Sequence, residues 1–350
     1  MTENYPPPPG ARPTPPGRPP GIPSPAWPPT ATLGRPLHKP GTVPLRPLTL
    51  SDFFDGAFAT IRRNPKSTIG VGALVTTAFM LAPIFGALLL AGTGQLTGAL
   101  DPSSTAAGPT FGDVSVVVAT LVSGLFSLLA NIVVAGLIVP VVTRATIGEY
   151  ISPSAAWRQA RGRLLRLVAL ALVEMLAFAL LVAVPVVAVL LGAAVGSPFV
   201  AIALGIVLGI LAVLAGVAMH ARFFQLVAPT LVVEKRGIFA SIARAGRLSR
   251  GNFWRILGTL LLVAIATYVV SQIITVPFSV LGLLLAALAP GTGGMTGLLL
   301  SSNVATIVSG AVVAPFTGAV AVLQYLDQRF RKEGFDIELI NHVQSRRPSS

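Results

Sequence analysis

Residues 256–326 read ILGTLLLVAIATYVVSQIITVPFSVLGLLLAALAPGTGGMTGLLLSSNVATIVSGAVVAPFTGAVAVLQYL, and none of them is Asp, Glu, Lys or Arg. About 20 apolar helical residues cross a hydrocarbon layer of about 30 Å, so the run is long enough to cross twice. The PGTGG stretch at 290–294 supplies the break between the two crossings. Working outward, 69–92 and 114–143 are likewise free of charged side chains, and 167–221 holds only Glu174, with a Ser197-Pro198 turn dividing it. These runs predict an all-α membrane protein with six transmembrane helices, at about 69–92, 114–143, 167–196, 198–221, 256–289 and 298–326.

Composition removes the main competitor. The chain has 25 Lys and Arg against 12 Asp and Glu, a net charge of +13, which suits either nucleic acid or an anionic membrane. Only 11% of residues are charged, 53% are hydrophobic and the mean hydropathy is +0.79. A soluble domain carries roughly 25% charged residues, so nucleic acid is not expected as a partner. With no cysteine, disulfides, thiol nucleophiles and S-palmitoylation are excluded. The first apolar run begins at residue 69 and is long enough to span, so an uncleaved anchor is expected in place of a signal peptide.

All 25 Lys and Arg fall before residue 69, within 144–166, within 222–255, or after 326. The intervening loops, 93–113, the turn at 197 and 290–297, contain none. By the positive-inside rule this places both termini in the cytoplasm.

Three basic stretches lead into odd-numbered spans: 49–70, 152–170 and 237–258. In the first, Leu50, Phe53, Phe54, Ala57, Phe58 and Ile61 recur at helical spacing opposite Asp52 and Asp55, with Thr49 as N-cap. Arg62, Arg63 and Lys66 follow it, and Arg158 and Arg161 mark the second stretch. The third contains RAGRLSRGNFWR, 244–255, in which Arg244, Arg247 and Arg250 lie on the arc opposite Ile238, Ile242 and Ala245. Gly251 and Asn252 read as a break and a cap, Phe253 and Trp254 as interfacial aromatics, and Arg255 as a further cation. The expectation is three cytoplasmic interfacial amphipathic helices whose arginines and Lys66 contact anionic inner-leaflet lipid. Pro83, Pro185 and Pro277 recur in spans one, three and five, and Pro140, Pro229 and Pro315 in or near two, four and six. The layout reads as three degenerate units of about 90 residues, each an interfacial helix plus a helical hairpin.

Glu174 is the one acid inside a span, where ionisable groups by default mark a polar pathway or a buried pair. His220 and Arg222 are its candidate partners, and the open readings are a proton or substrate relay and a structural ion pair. Asn131, Gln272 and Tyr268 are expected to hydrogen-bond between helices, and Gly205 with Gly209 forms a small-xxx-small face. The N-terminal 47 residues hold 17 of the 30 prolines, which predicts a disordered tail of polyproline II character. Two readings stay open for it: a basic spacer at the inner leaflet, or a ligand for an aromatic-lined groove on a cytoplasmic partner, with Tyr5 and Trp27 as anchors. The three histidines, His38, His220 and His342, are far apart in sequence, and no phosphate loop, metal-spaced cluster or nucleophile motif occurs. Neither a cofactor nor a catalytic activity is expected.

The runs ARFFQLVAPTLVVEKRGIFASIARAGRLSRGNFWRILGTLLL (221–262), VPLRPLTLSDFFDGAFATIRRNPKSTIG (43–70) and LQYLDQRFRKEGFDIELI (323–340) resemble bacterial integral membrane proteins of the glycerophosphoryl diester phosphodiesterase membrane domain type. The resemblance covers about 43–340 and implies a multi-pass protein of the bacterial cell membrane. In the namesake enzymes a separate soluble phosphodiesterase domain follows; only ten residues follow Ile340, so architecture carries over and activity does not. The expected organisation is a tail at 1–47, a six-span membrane domain at 48–340 and a C-terminal tail at 341–350, with the oligomeric state open. The expected function is that of an organising or adaptor protein using its basic cytoplasmic face; the alternative is a transporter or channel-like protein with a polar pathway at Glu174. A cavity reaching Glu174 favours the alternative, and a centre packed solid favours the adaptor.

Overall fold

In the computed structural model, residues 41–92, 111–289, 292–335 and 338–339 are described. The tail up to residue 40, with Tyr5, Trp27 and His38, the loop 93–110, and the residues from 340 on, with His342, lie outside the described residues.

Helix α1 (Leu50–Arg63) starts at Thr49 with the expected cap. Thr49 Oγ1 accepts from the Asp52 backbone N–H, and Asp52 Oδ2 accepts from that of Thr49 at 2.8 Å, closing a reciprocal box. It is followed by α2 (Pro65–Gly92), α3 (Phe111–Thr146), α4 (Pro153–Arg161), α5 (Leu164–Ala194) and α6 (Pro198–Met219). A π turn at His220–Phe224 continues α6 into α7 (Val227–Val233), and α8 (Ile238–Ser249), α9 (Phe253–Leu288) and α10 (Thr292–Glu333) complete the order. Six of these stretches are long and apolar enough to cross a membrane, and no strand occurs among the described residues. The fourth runs Phe199–Val233, past the expected end at 221, because the π turn carries the helix through Arg222.

α10 lies at the centre, against α9, α2, α3 and α1. In the most apolar window, 61% is buried in α3 and in α10 against 6% in α5 and in α9, which makes the former pair the core and leaves α5 outside it. Close approach is built from small residues. A Cβ on Gly318 would lie 2.9 Å from Ala135 Cα, and one on Gly72 2.9 Å from Ala311 O, so α3 and α2 press backbone-close on α10. The α5–α6 hairpin leaves Leu176, Leu180, Val184, Ile202, Ile206 and Ile210 more than half exposed. Rows of this kind face lipid tails in a spanning protein.

The short helices gather where α10 ends. The apolar arc of α8 packs inward as its periodicity predicted, with Ala245 buried and Ile238 and Ile242 against the core. Gly251 takes φ +83 at the break. Asn252 stands at the N-cap of α9, yet its side chain donates to Gln328 Oε1 at 2.8 Å and does not cap the helix. Residues 41–48, the end of the stretch read as tail together with Leu48, are packed: Val43, Leu45 and Leu48 are buried in the core. Thr42 N–H donates to Ala145 O, and Leu48 N–H donates to Oδ1 of fully buried Asp327 at 2.8 Å.

Candidate functional site

Glu174 sits on α5, three turns from its start, and is 8% exposed. His220 Nδ1 lies 2.6 Å from Glu174 Oε1. The other ring nitrogen, Nε2, lies 2.9 Å from Gln225 Oε1; Gln225 Nε2 donates to Gln324 Oε1 at 2.8 Å, and Gln324 Nε2 to Ile256 O at 3.4 Å. A continuous polar chain therefore runs from α5 through the π turn to α10 and α9.

The π turn makes the chain possible. Five residues along an α-helix leave two side chains about 140° apart, so His220 and Gln225 could not meet. Here Gln225 N–H donates to His220 O at 2.8 Å, an i to i+5 bond, and the wider turn brings both side chains to one face. The same turn carries Arg222 away. Its carbonyl accepts from Ser249 Oγ, its guanidinium lies 5.9 Å from the Phe223 ring, and among the described residues no ion pair joins it to Glu174. Of the two candidate partners the structure brings His220 to the acid and leaves Arg222 apart.

Glu174, His220 and Gln225 line a cavity of about 350 Å³ together with Asn131, Thr267 and Gly318. A second cavity of about 520 Å³, almost wholly apolar, lies between α5, α6 and α9 and shares Phe178, His220 and Leu260 with the first. A small polar constellation opening on apolar walls is the ordinary composition of a small-molecule site. Gln225 and Gln324 were missed in the sequence, although each is a lone amide within an apolar run, in FFQLV and AVLQYL. Asn131 donates to Ser127 O within its own helix, while Gln272 and Tyr268 stand exposed on α9. The Gly205–Gly209 pair divides: a Cβ on Gly205 would meet Val189 at 2.6 Å, whereas Gly209 faces open space beside the apolar cavity.

The basic residues also divide. Arg244 is paired with Glu234 at 3.0 Å and with Glu333. Burial works against its charge, the two carboxylates outweigh that, and its pKa lies above the ordinary arginine value. Arg255 pairs with Asp327 at 3.4 Å and donates to Leu48 O. Arg247, Arg250, Arg62, Arg63, Lys66, Arg158 and Arg161 are exposed, Arg63 donating to Gly148 O. A third cavity, of about 490 Å³, is lined by Arg163, Lys235 and Gln159 together with Val139, Val232 and Leu326. Lys235 holds φ +58, the one non-glycine residue at positive φ among the described residues. No group of three or more His, Cys, Asp or Glu that could hold a metal occurs among them.

A family model described as a domain of unknown function (DUF7847) matches residues 53–327, from the first turn of α1 to Asp327 in α10. No curated protein and no solved structure matches.

Proposed function

The chain belongs to the DUF7847 family, and from that premise we propose that it is a multi-pass transporter-type protein of the bacterial cell membrane, with the Glu174–His220 cavity as its working site. The observation that carries this reading is an ionisable pair, joined at 2.6 Å, facing a cavity of about 350 Å³ inside a bundle of apolar helices. An acid at mid-span disfavours insertion by roughly 2.5–3.5 kcal/mol, and a closed core would hold such a pair without a cavity beside it. The likeness of 221–262 and 323–340 to the membrane region of glycerophosphoryl diester phosphodiesterase membrane domain proteins supports location and architecture. We carry over no phosphodiesterase activity, and no catalytic role is assigned to any residue. The recurring order of short helix and two-span hairpin supports three related units.

The organising reading keeps support from a different observation. Arg163 and Lys235, neither in an ion pair among the described residues, line the third cavity together with Val139, Val232 and Leu326, and Arg163 also donates to Val232 O. That combination suits the phosphate and upper acyl chain of an anionic lipid, and the exposed arginines around it suit a cytoplasmic leaflet.

A deletion strain complemented with the native chain, with Glu174→Gln/His220→Gln, or with Arg163→Ala/Lys235→Ala separates the two. The transporter reading expects altered solute or drug accumulation that the Glu174/His220 variant fails to restore. Full restoration by that variant, together with a lipid-composition defect that only the Arg163/Lys235 variant leaves uncorrected, would establish the organising role instead.

A further inference from the structure

We propose that Glu174 and His220 form a one-proton site whose histidine tautomer is set from the backbone of α9. The inference rests on reading the Glu174 cavity as the working site, and it names the ion that site holds.

An amide side chain has one accepting end and one donating end, so a chain of amides has a direction. The Ile256 carbonyl can only accept, so the end of Gln324 that meets it at 3.4 Å is the NH2 group. Gln324 Oε1 then faces Gln225, whose NH2 must donate across the 2.8 Å contact. That turns Gln225 Oε1 onto His220 Nε2 at 2.9 Å, and a ring nitrogen facing an acceptor has to carry hydrogen. Nε2–H is thereby fixed by a carbonyl two amides away.

What varies is confined to the 2.6 Å between Nδ1 and Glu174 Oε1. One proton there satisfies both atoms, either on the ring, as imidazolium against carboxylate, or on the carboxyl, as a neutral pair. Removal of that proton sets two lone pairs against each other, and the link between α5 and the π turn opens. Among the described residues no other charged side chain lines the cavity. The polar groups that face it are Asn131 from α3, Thr267 from α9 and Thr317 from α10. Asn131 donates to Ser127 O, Thr267 to Val263 O and Thr317 to Val313 O, each within its own helix, so none replaces the proton. Proton occupancy is thus coupled to helix packing.

The test uses the full chain in lipid nanodiscs with His38→Asn and His342→Asn, which leaves His220 as the sole imidazole, read by 15N NMR of the ring across pH. The expected result is an Nε2 of pyrrole type at every pH at which the fold holds, with only Nδ1 changing from protonated to pyridine type. Gln324→Leu frees Gln225 to turn, so a second, Nδ1–H tautomer is expected to appear in that variant, and Gln225→Leu should do the same. A pyridine-type Nε2 in the parent overturns the proposal, as does a single Nε2–H tautomer that persists in both variants. Should neither variant fold, the parent spectrum alone decides. Solute flux in matched liposomes separates this from the parent reading: no flux with a pyrrole-type Nε2 removes the transporter and leaves the proton site, and flux with a pyridine-type Nε2 does the reverse.

Discussion

Glu174 is tolerated in α5 because His220 meets it. Hydrogen bonds to a charged group contribute about 1.5–3 kcal/mol, comparable with the roughly 2.5–3.5 kcal/mol penalty of an acid at mid-span. Removing either partner should therefore release most of what removing both does. In detergent unfolding titrations, Glu174→Gln and His220→Gln should couple by about 1 kcal/mol or more, whereas Glu174→Gln and Arg222→Ala should add within about 0.5 kcal/mol. A coupled Arg222 would mean that the π turn does not carry its side chain away. Asp327 is the second acid whose environment decides its role. It is fully buried, accepts from Leu48 N–H and from Arg331 at 3.0 Å, and faces Arg255 at 3.4 Å. Breaking a buried ion pair destabilises by 3–5 kcal/mol, but both guanidiniums reach solvent here, so Asp327→Ala should destabilise by nearer 2 kcal/mol. The same titration checks it, and protease nicking near residue 45 should appear in the variant as the 41–48 segment loses its anchor. Nothing in the sequence marked that anchor, since Leu48 and Asp327 are 279 positions apart.

Uncharged length made the spans legible, periodicity made α1 and α8 legible, and capping chemistry marked the start of α1. Thr49 caps α1 as its position implied, in a reciprocal box with Asp52, and the apolar arc of α8 faces the core. The π turn was not legible: HARFF differs from an α-helical sequence in nothing that propensity registers, and its wider turn follows from tertiary packing. That single element explains why His220 meets the acid, Arg222 does not, and Gln225 joins the chain. Small residues are similarly ambiguous in a chain with 35 glycines. Position alone does not distinguish Gly318, pressed on Ala135 Cα, from Gly209, which faces open space. An added methyl at a backbone contact forces displacement costing about 1–3 kcal/mol. Gly318→Ala and Gly72→Ala should each lower the thermal midpoint in detergent by several degrees, and Gly209→Ala should leave it unchanged. Equal effects at all three would show that the α2, α3 and α10 contacts are looser than their backbone distances require.

The assembled bundle is polarised along its length and across its width. Across the width, α3 and α10 fill the core while the α5–α6 hairpin lies outside it, so Glu174 and His220 sit where that hairpin meets the buried centre. Along the length, α1, α4, α7 and α8 gather with the last turns of α10, where Lys332 donates to the carbonyls of Arg247 and Arg250. No Lys or Arg occurs in 93–113, at the α5–α6 turn or in 290–297. Some of the basic residues serve internal pairs, as Arg244 and Arg255 do, so their one-sided distribution has two origins. Translocation reads the linear sequence before those pairs form, and it responds to Lys and Arg near span ends whatever their later partners. Orientation should therefore follow the full cation count. A periplasmic reporter fused after residue 106 should be active and one fused after residue 240 silent. Neutralising Arg244 and Arg255 should leave that pattern intact while it weakens folding. The reverse reporter pattern would place the basic end outside, and with it the Arg163–Lys235 cavity and every exposed arginine now assigned to the inner leaflet.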